Sequence, residues 1–357
     1  MTRRVLVLIV SLLTAVALAG CGGNDEEGSA QNQRLSISLG MPSSDTFTAE
    51  WFGFLAARDL GYWDRQGLDV KLVAAEGSGA VVEQIVAGNL DAGIPSMTAV
   101  VEAMGTGVEL INTYSYSRGA IFGIFATEQS GISSLPDLEG KKIGISEPGG
   151  GEVAFLNAAL RGAGIDPAGG VTPIPIGDGG PATFEAIESG KVDAYSSAYN
   201  DVFAMQVQGL QLKDLTPEEF KGFPARGVIA TPQVVEEKQE AIGRLLNGVA
   251  QGTLYCLNNN DACAEMMKKA VPQQWEANAQ GVSQGTLRYE LGLKQVALPE
   301  GFRFGQHSPE ETQQFVDTVA STSKEFQRFD VNTFLSQEFL DRANDFDQQA
   351  IIDQAKK

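Results

Sequence analysis

One stretch of this chain is written twice, and that duplication restricts the fold more than any other feature. The first copy opens on Glu76-Gly77-Ser78-Gly79-Ala80 and runs amphipathically to Ile85. It continues Gly88-Asn89-Leu90-Asp91-Ala92 and closes at Ser96-Met97. The second opens on Asp178-Gly179-Gly180-Pro181-Ala182, runs to Ile187, continues Gly190-Lys191-Val192-Asp193-Ala194 and closes at Ala198-Tyr199. The offset of 190 − 88 = 102 residues also pairs Glu76 with Asp178, Glu83 with Glu185 and Asp91 with Asp193. Upstream, Ile37-x-Leu39 leading to Pro42 echoes Ile143-x-Ile145 leading to Pro148 at a slightly different offset. Such a period is too long for a solenoid unit. It predicts an α/β chain of two similar lobes, each built as strand, Gly-rich loop, helix and strand. A cleft between two such lobes is where small ligands usually sit.

The segment before this repeat reads as an address. Arg3 and Arg4 precede an uncharged apolar run over residues 5–18, too short to span a bilayer comfortably, and Leu18-Ala19-Gly20-Cys21 closes it. Small residues directly before a cysteine resemble a bacterial lipobox, which implies a signal peptide over 1–20 and a lipid on Cys21. Residues 21–33 are then a flexible polar tether, and a polar–apolar alternation from residue 34 opens the folded part. Without Arg3 and Arg4 the chain carries 24 basic against 45 acidic residues. That balance argues against nucleic acid and against attraction to anionic lipid, leaving the lipid as the expected membrane contact. Cys256 and Cys263 are the remaining cysteines. In an exported chain they form either a short-loop disulfide or two reduced core thiols.

A set of motifs then becomes specific. Leu55-Ala56-Ala57-Arg58-Asp59-Leu60-Gly61-Tyr62-Trp63 is followed by Gly67-Leu68-Asp69-Val70, and Gly88-x-Leu90-Asp91-Ala92 and Leu135-x-Asp137-Leu138-x-Gly140-Lys141-Lys142-Ile143-Gly144-Ile145 come later. Together they resemble the type 2 periplasmic solute-binding proteins of the NMT1/THI5-like class, which serve nitrate, sulfonate, taurine and thiamine-precursor import. The resemblance spans about residues 35–255. It implies central mixed sheets in both lobes and a hinge near residues 117–120 and 222–227. Lobe one would be 34–118 plus 226–357, and lobe two 119–225. The partners it implies are a small-molecule solute and the permease and ATPase of an ABC importer, with the chain itself a monomer. The same superfamily includes a pyrimidine synthase that consumes one of its own histidines and carries a cysteine-rich motif. Trp51 stands at that histidine's place and the motif is missing, which argues against the enzyme.

Local patterns complete the expectations. Residues 47–60 have helical spacing with Gly61 as the stop, residues 232–255 read as one long helix begun by Pro232, and residues 282–291 read as helical. Asp91 is expected to pin a turn. His307, beside Ser308-Pro309, is expected at an exposed helix start. Gly149-x-Gly151-x-x-Ala154 satisfies the G-x-G-x-x-A pattern, but Glu147 stands where the tight-turn glycine belongs. No metal is expected, because two cysteines and one histidine do not make a usual zinc site. No cofactor is implied either.

The repeat and the resemblance together nominate ligand contacts. Ser43 and Ser44 lie in the first loop, where helix capping competes with ligand binding. Gly77 and Ser78, and Gly149, Gly150, Gly151 and Glu152, offer backbone N–H groups at helix starts, which favour an anion or acceptor unless they serve only a tight turn. Glu76 and Asp178 either grip polar hydrogens of a ligand or cap the following helices. Trp51, Tyr116 and Tyr199, with Tyr114 and Phe122, supply aromatic surface or core. Ser96 and Met97 close the first copy. Arg118 either pairs with a carboxylate or sulfonate or makes a surface ion pair. Three solute classes stay open: a pyrimidine-like heterocycle, a sulfonate or carboxylate, and an inorganic anion. An exported enzyme and a ligand-sensing lipoprotein without a permease are the competing functions.

Overall fold

The computed structural model describes residues 34–42, 51–119, 121–221, 224–272, 303–321 and 325–357. Ser43 and Ser44 and the helix expected at 282–291 lie outside the described residues. The first lobe begins with β1 (Leu35–Met41), α1 (Phe52–Asp59), α2 (Tyr62–Arg65), β2 (Leu68–Ala74), α3 (Gly77–Val86), β3 (Ala92–Gly93), α4 (Met97–Met104) and β4 (Ile111–Arg118). The chain crosses into β5 (Phe122–Thr127), β6 (Lys142–Ile145), α5 (Gly151–Gly162), β7 (Thr172–Pro175), α6 (Pro181–Glu188), β8 (Ala194–Ala198), α7 (Tyr199–Val207), β9 (Leu212–Asp214) and α8 (Glu218–Lys221). It returns through β10 (Pro224–Ala230) to α9 (Pro232–Glu237), α10 (Gln239–Asn258) and α11 (Asn260–Ala270). The tail adds α12 (Pro309–Ser321), α13 (Val331–Phe334), α14 (Leu340–Ala343) and α15 (Gln348–Ala355).

The two sheets have one plan. Their orders are β2-β1-β3-β10-β4 and β7-β6-β8-β5-β9. In each, the second strand pairs in parallel with both neighbours, and the fourth is antiparallel to both of its own. Those fourth strands, β10 and β5, are the ones that arrive directly from the other sheet. The mixed sheets expected of the resemblance are therefore present, and each carries one reversed strand at the same place.

The repeat is local physics used twice. α3 and α6 both end on a left-handed glycine, Gly88 (φ 73) and Gly190 (φ 70). Gly88 N–H donates to Ile85 O and Asn89 N–H to Gln84 O; Gly190 N–H donates to Ile187 O and Lys191 N–H to Ala186 O. Both are Schellman closures, which glycine enters without a Cβ penalty. Asp91 then accepts from Ser38 N–H (2.7 Å), and Asp193 from Lys142 N–H (2.9 Å), so each aspartate ties its lobe's central strand to the turn. Register places Leu39 opposite Ala92 and Ile143 opposite Ala194. The strand echo is therefore offset by 143 − 39 = 104 residues, so Leu39 and not Ile37 matches Ile143.

Two further expectations change in detail, and one open alternative is decided. The helix expected over 232–255 is broken at Lys238 (φ −119, ψ 24), whose Nζ reaches Asp91 Oδ1 at 2.7 Å. His307 is buried, 6% exposed, with Nε2 3.1 Å from Ser336 O, because the tail folds back over it. Cys256 and Cys263 are joined, linking α10 to α11 with Cα atoms 5.6 Å apart.

Two contacts hold the first lobe's contribution to the site. α1 lies so close to α10 that a Cβ on Gly252 would run into Gly53 O and stand 2.8 Å from Ala57 N. Trp51 caps the start of α1 and is 1% exposed, against Tyr116 and Phe54. One apolar core joins the lobes, bringing Val100, Val101 and Phe315 together with Phe122 and Phe155.

Candidate functional site

A helix that follows a parallel strand starts at the strand's carboxyl end, so βα units deliver helix N-termini to one edge of the sheet. In both lobes that edge faces the same cleft, whose empty space, open solvent included, is about 530 Å³. The first lobe lines it with Pro42 after β1, Trp51, Gly77 and Ser78 at the start of α3, and Arg226 on β10. The second lines it with Phe122, Ser146 and Glu147 after β6, Gly150, Gly151 and Glu152 at the start of α5, Asp178, and Ala198, Asn200 and Asp201 around the start of α7. The Gly77 loop of the first lobe and the Gly149 loop of the second meet across the gap. Gly79 N–H donates to Gly149 O at 3.2 Å, and a Cβ on Gly77 (φ +81) would overlap that carbonyl. Gly77 is thus required twice, for its left-handed backbone and for its close approach.

Arg226 is the cation of the cavity and is 6% exposed. Its guanidinium lies 4.9 Å from the Trp51 ring centroid and 5.7 Å from that of Phe122. Nη1 is 3.5 Å from both Ser78 Oγ and Ile94 O. Stacking on aromatic faces suits a planar, weakly hydrated cation and lets it be buried at lower cost. Nε1 of Trp51 is buried and has no hydrogen-bond partner among the described residues.

The opposite wall is acidic. Glu152 turns back on its own loop, where its Oε1 accepts from Ser146 N–H (2.9 Å) and Glu147 N–H (3.4 Å). A carboxylate of the chain itself therefore answers two amides of the loop that leads into α5. Burial raises the Glu152 pKa against those hydrogen bonds. Glu147 is pushed up to about 7, first by burial, then by the charges of Asp178, Glu152 and Glu76. Asp201 accepts from Ser197 Oγ at 2.8 Å.

Of the residues nominated from sequence, Trp51, Gly77, Ser78, Gly150, Gly151, Glu152 and Asp178 are brought together in this wall. Neither Glu76 nor Asp178 caps its helix: Glu76 makes no side-chain cap bond, and α6 is capped from Gly180. Gly149 meets the other loop through its backbone. Ser96 caps α4 by accepting from Ala99 N–H (3.4 Å), and its own N–H donates to Ser78 Oγ (3.0 Å). Met97 is in the core, with its sulfur 3.8 Å from Asn112 Nδ2. Tyr116 is buried behind Trp51, its ring 4.8 Å from that of Phe54. Tyr199 turns out of the cavity to donate to Asp214 Oδ2 (3.0 Å) and meets Phe125 edge-on. The backbone of Arg118 pairs with Pro224, while its side chain lies outside the described residues.

The family model described as NMT1/THI5 like matches residues 48–263, more than half of the chain. The chain belongs to that family. A Brucella abortus (strain 2308) protein named "Putative binding protein" is 26% identical over 247 residues, covering 66% of this chain and 73% of its own length. The Legionella pneumophila protein named 4-amino-5-hydroxymethyl-2-methylpyrimidine phosphate synthase is 23% identical over 235 residues, covering 61% and 69%. Among solved structures, the alkanesulfonate-binding protein SsuA of Xanthomonas axonopodis pv. citri, bound to MOPS, superposes with a TM-score of 0.62. It is 14% identical and covers 84% of this chain and 98% of that one. The periplasmic-binding fold expected from the motifs is the fold found.

Sequence reasoning on this NMT1/THI5-like chain missed Arg226, Glu147, Asn200 and Asp201, and looked to Arg118 for the cation. The signal for Arg226 was a single arginine in the otherwise apolar strand Ala225-Arg226-Gly227-Val228-Ile229-Ala230. The signal for Asp201 was its place one turn after the close of the second copy, at the start of a helix.

Proposed function

We propose that this chain is the solute-binding component of an ABC importer, held at the membrane face by a lipid on Cys21. It captures a small organic solute in the cleft between its lobes. The observation that carries this reading is the cleft into which helix starts from both lobes converge, its described wall holding one buried arginine and an indole N–H without a partner among the described residues. The names borne by the Brucella relative and the Xanthomonas neighbour support it. Lobes divided at 34–118 plus 226–357 and 119–225 close about the two crossings near residues 117–120 and 222–227. Closure follows from contacts that a solute makes with both lobes at once. The closed form then docks on a permease driven by its ATPase.

The test is a thermal-shift panel of heterocycles, amines, sulfonates and carboxylates. A solute at about 100 times its Kd stabilises by about 2.7 kcal/mol. A midpoint unmoved by every solute refutes capture. Because one relative bears the name of a pyrimidine phosphate synthase, the bound solute is also recovered and weighed. Recovery of a chemically altered molecule would favour an enzyme.

A further inference from the structure

We propose that the solute held in this cleft presents a positively charged nitrogen to the second lobe, with Glu147 as the receiving group. The inference rests on the capture reading and narrows its solute class. Four carboxylates, of Glu147, Glu152, Asp178 and Asp201, share the described wall with one guanidinium. That guanidinium lies on the first lobe's side, over Trp51 and near Ser78. Two amides of the loop that leads into α5, those of Ser146 and Glu147, are already answered by Glu152. A sulfonate or carboxylate with no nitrogen would therefore add a like charge to this wall.

Glu147 is placed to read a cation. A Cβ on Gly77 would stand 2.8 Å from Glu147 Oε1, so this second-lobe carboxylate lies against the first lobe. A nitrogen beside it touches both lobes, which ties its binding to closure. The carboxyl holds its proton to about pH 7 through burial and the charges of Asp178, Glu152 and Glu76. A bound cation reverses that balance. The indole N–H of Trp51, buried in the same wall with no partner among the described residues, points independently to a ligand and asks for an acceptor atom on it. The solute thus combines a cationic nitrogen with an acceptor oxygen or ring nitrogen.

Three probes of one shape separate the charges: benzamidine (cationic between pH 6 and 8), benzamide (neutral) and benzenesulfonate (anionic). Titration calorimetry on the full chain at pH 8 is expected to show benzamidine binding at least about tenfold tighter than the other two. Its affinity is expected to rise about tenfold from pH 6 to pH 8 as Glu147 loses its proton. Glu147→Gln is expected to remove that rise and bring benzamidine within about threefold of benzamide, with the thermal midpoint confirming a folded variant. Benzamide or benzenesulfonate binding as tightly as benzamidine would overturn the proposal. So would a pH dependence that survives Glu147→Gln, or a failure of benzamidine, agmatine and choline alike to bind. An anionic solute returned by the wider panel would sink this inference and leave capture standing. A panel with no binder at all would sink both.

Discussion

Glu102 sets two electrostatic effects against each other, and replacing it with glutamine decides which wins. It lies on α4 of the first lobe, with Oε1 3.9 Å from Arg161 Nη1 on α5 of the second. Burial pushes its carboxyl up to about 7 from 4.5, and Arg161 pulls back only part of the way. A carboxyl whose pKa rises on folding binds its proton more tightly in the native state. The native chain therefore loses stability as pH rises from about 4.5 to about 7, and the full cost is present above that window. The difference corresponds to about 3 kcal/mol. The side chain keeps 33% of its exposure, so screening reduces this to about 1–2 kcal/mol. Glu102→Gln is thus expected to be about 1–2 kcal/mol more stable than the parent at pH 8, and equal to it within about 0.5 kcal/mol at pH 4.5. Urea unfolding of both proteins at the two pH values measures it. A variant less stable than the parent at pH 8 would show that the ion pair to Arg161 outweighs desolvation, and would refute the reasoning.

Arg226→Met removes the cleft's cation while keeping an apolar side chain against Trp51 and Phe122. Benzamidine affinity measured by calorimetry is expected to rise by about threefold or more, because a like charge leaves the cleft. Gly252→Ala drives a methyl into the backbone of α1, and chemical unfolding is expected to show a loss of about 3 kcal/mol. Because α1 begins at Trp51, indole fluorescence should shift in the same variant. Replacing Cys256 and Cys263 together by serine opens a short loop and is expected to cost about 2–3 kcal/mol, read as a lower thermal midpoint.

Much of the fold was legible because its signals are local. A Schellman glycine and an aspartate that ties a strand to its turn each need only a few neighbouring residues. When the chain repeats them at Gly88 and Gly190, and at Asp91 and Asp193, two lobes follow. The cleft walls followed to the same extent: Gly77, Ser78, Gly150, Gly151 and Asp178 are turn and helix-start residues whose place is set by the βα unit itself. Side-chain direction is a different matter. Tyr199 begins a helix where ligand contact was expected, yet its hydroxyl is taken by Asp214 on β9, an edge strand of the same sheet. Glu152 stands at a helix start expected to offer N–H groups to a ligand, and its own carboxylate instead turns back onto the loop amides of Ser146 and Glu147.

By itself the sequence determined a duplicated α/β chain, its family, the edge of each sheet on which the loops gather, and the two cysteines that can meet. Tertiary structure alone decided the charge of the cleft. Arg226 reaches Ser78 across 148 residues of chain, on a strand that enters the first sheet only after the second lobe is complete. No local period records such a meeting, because it is made inside the first lobe by a strand that arrives only after the chain has built the second sheet.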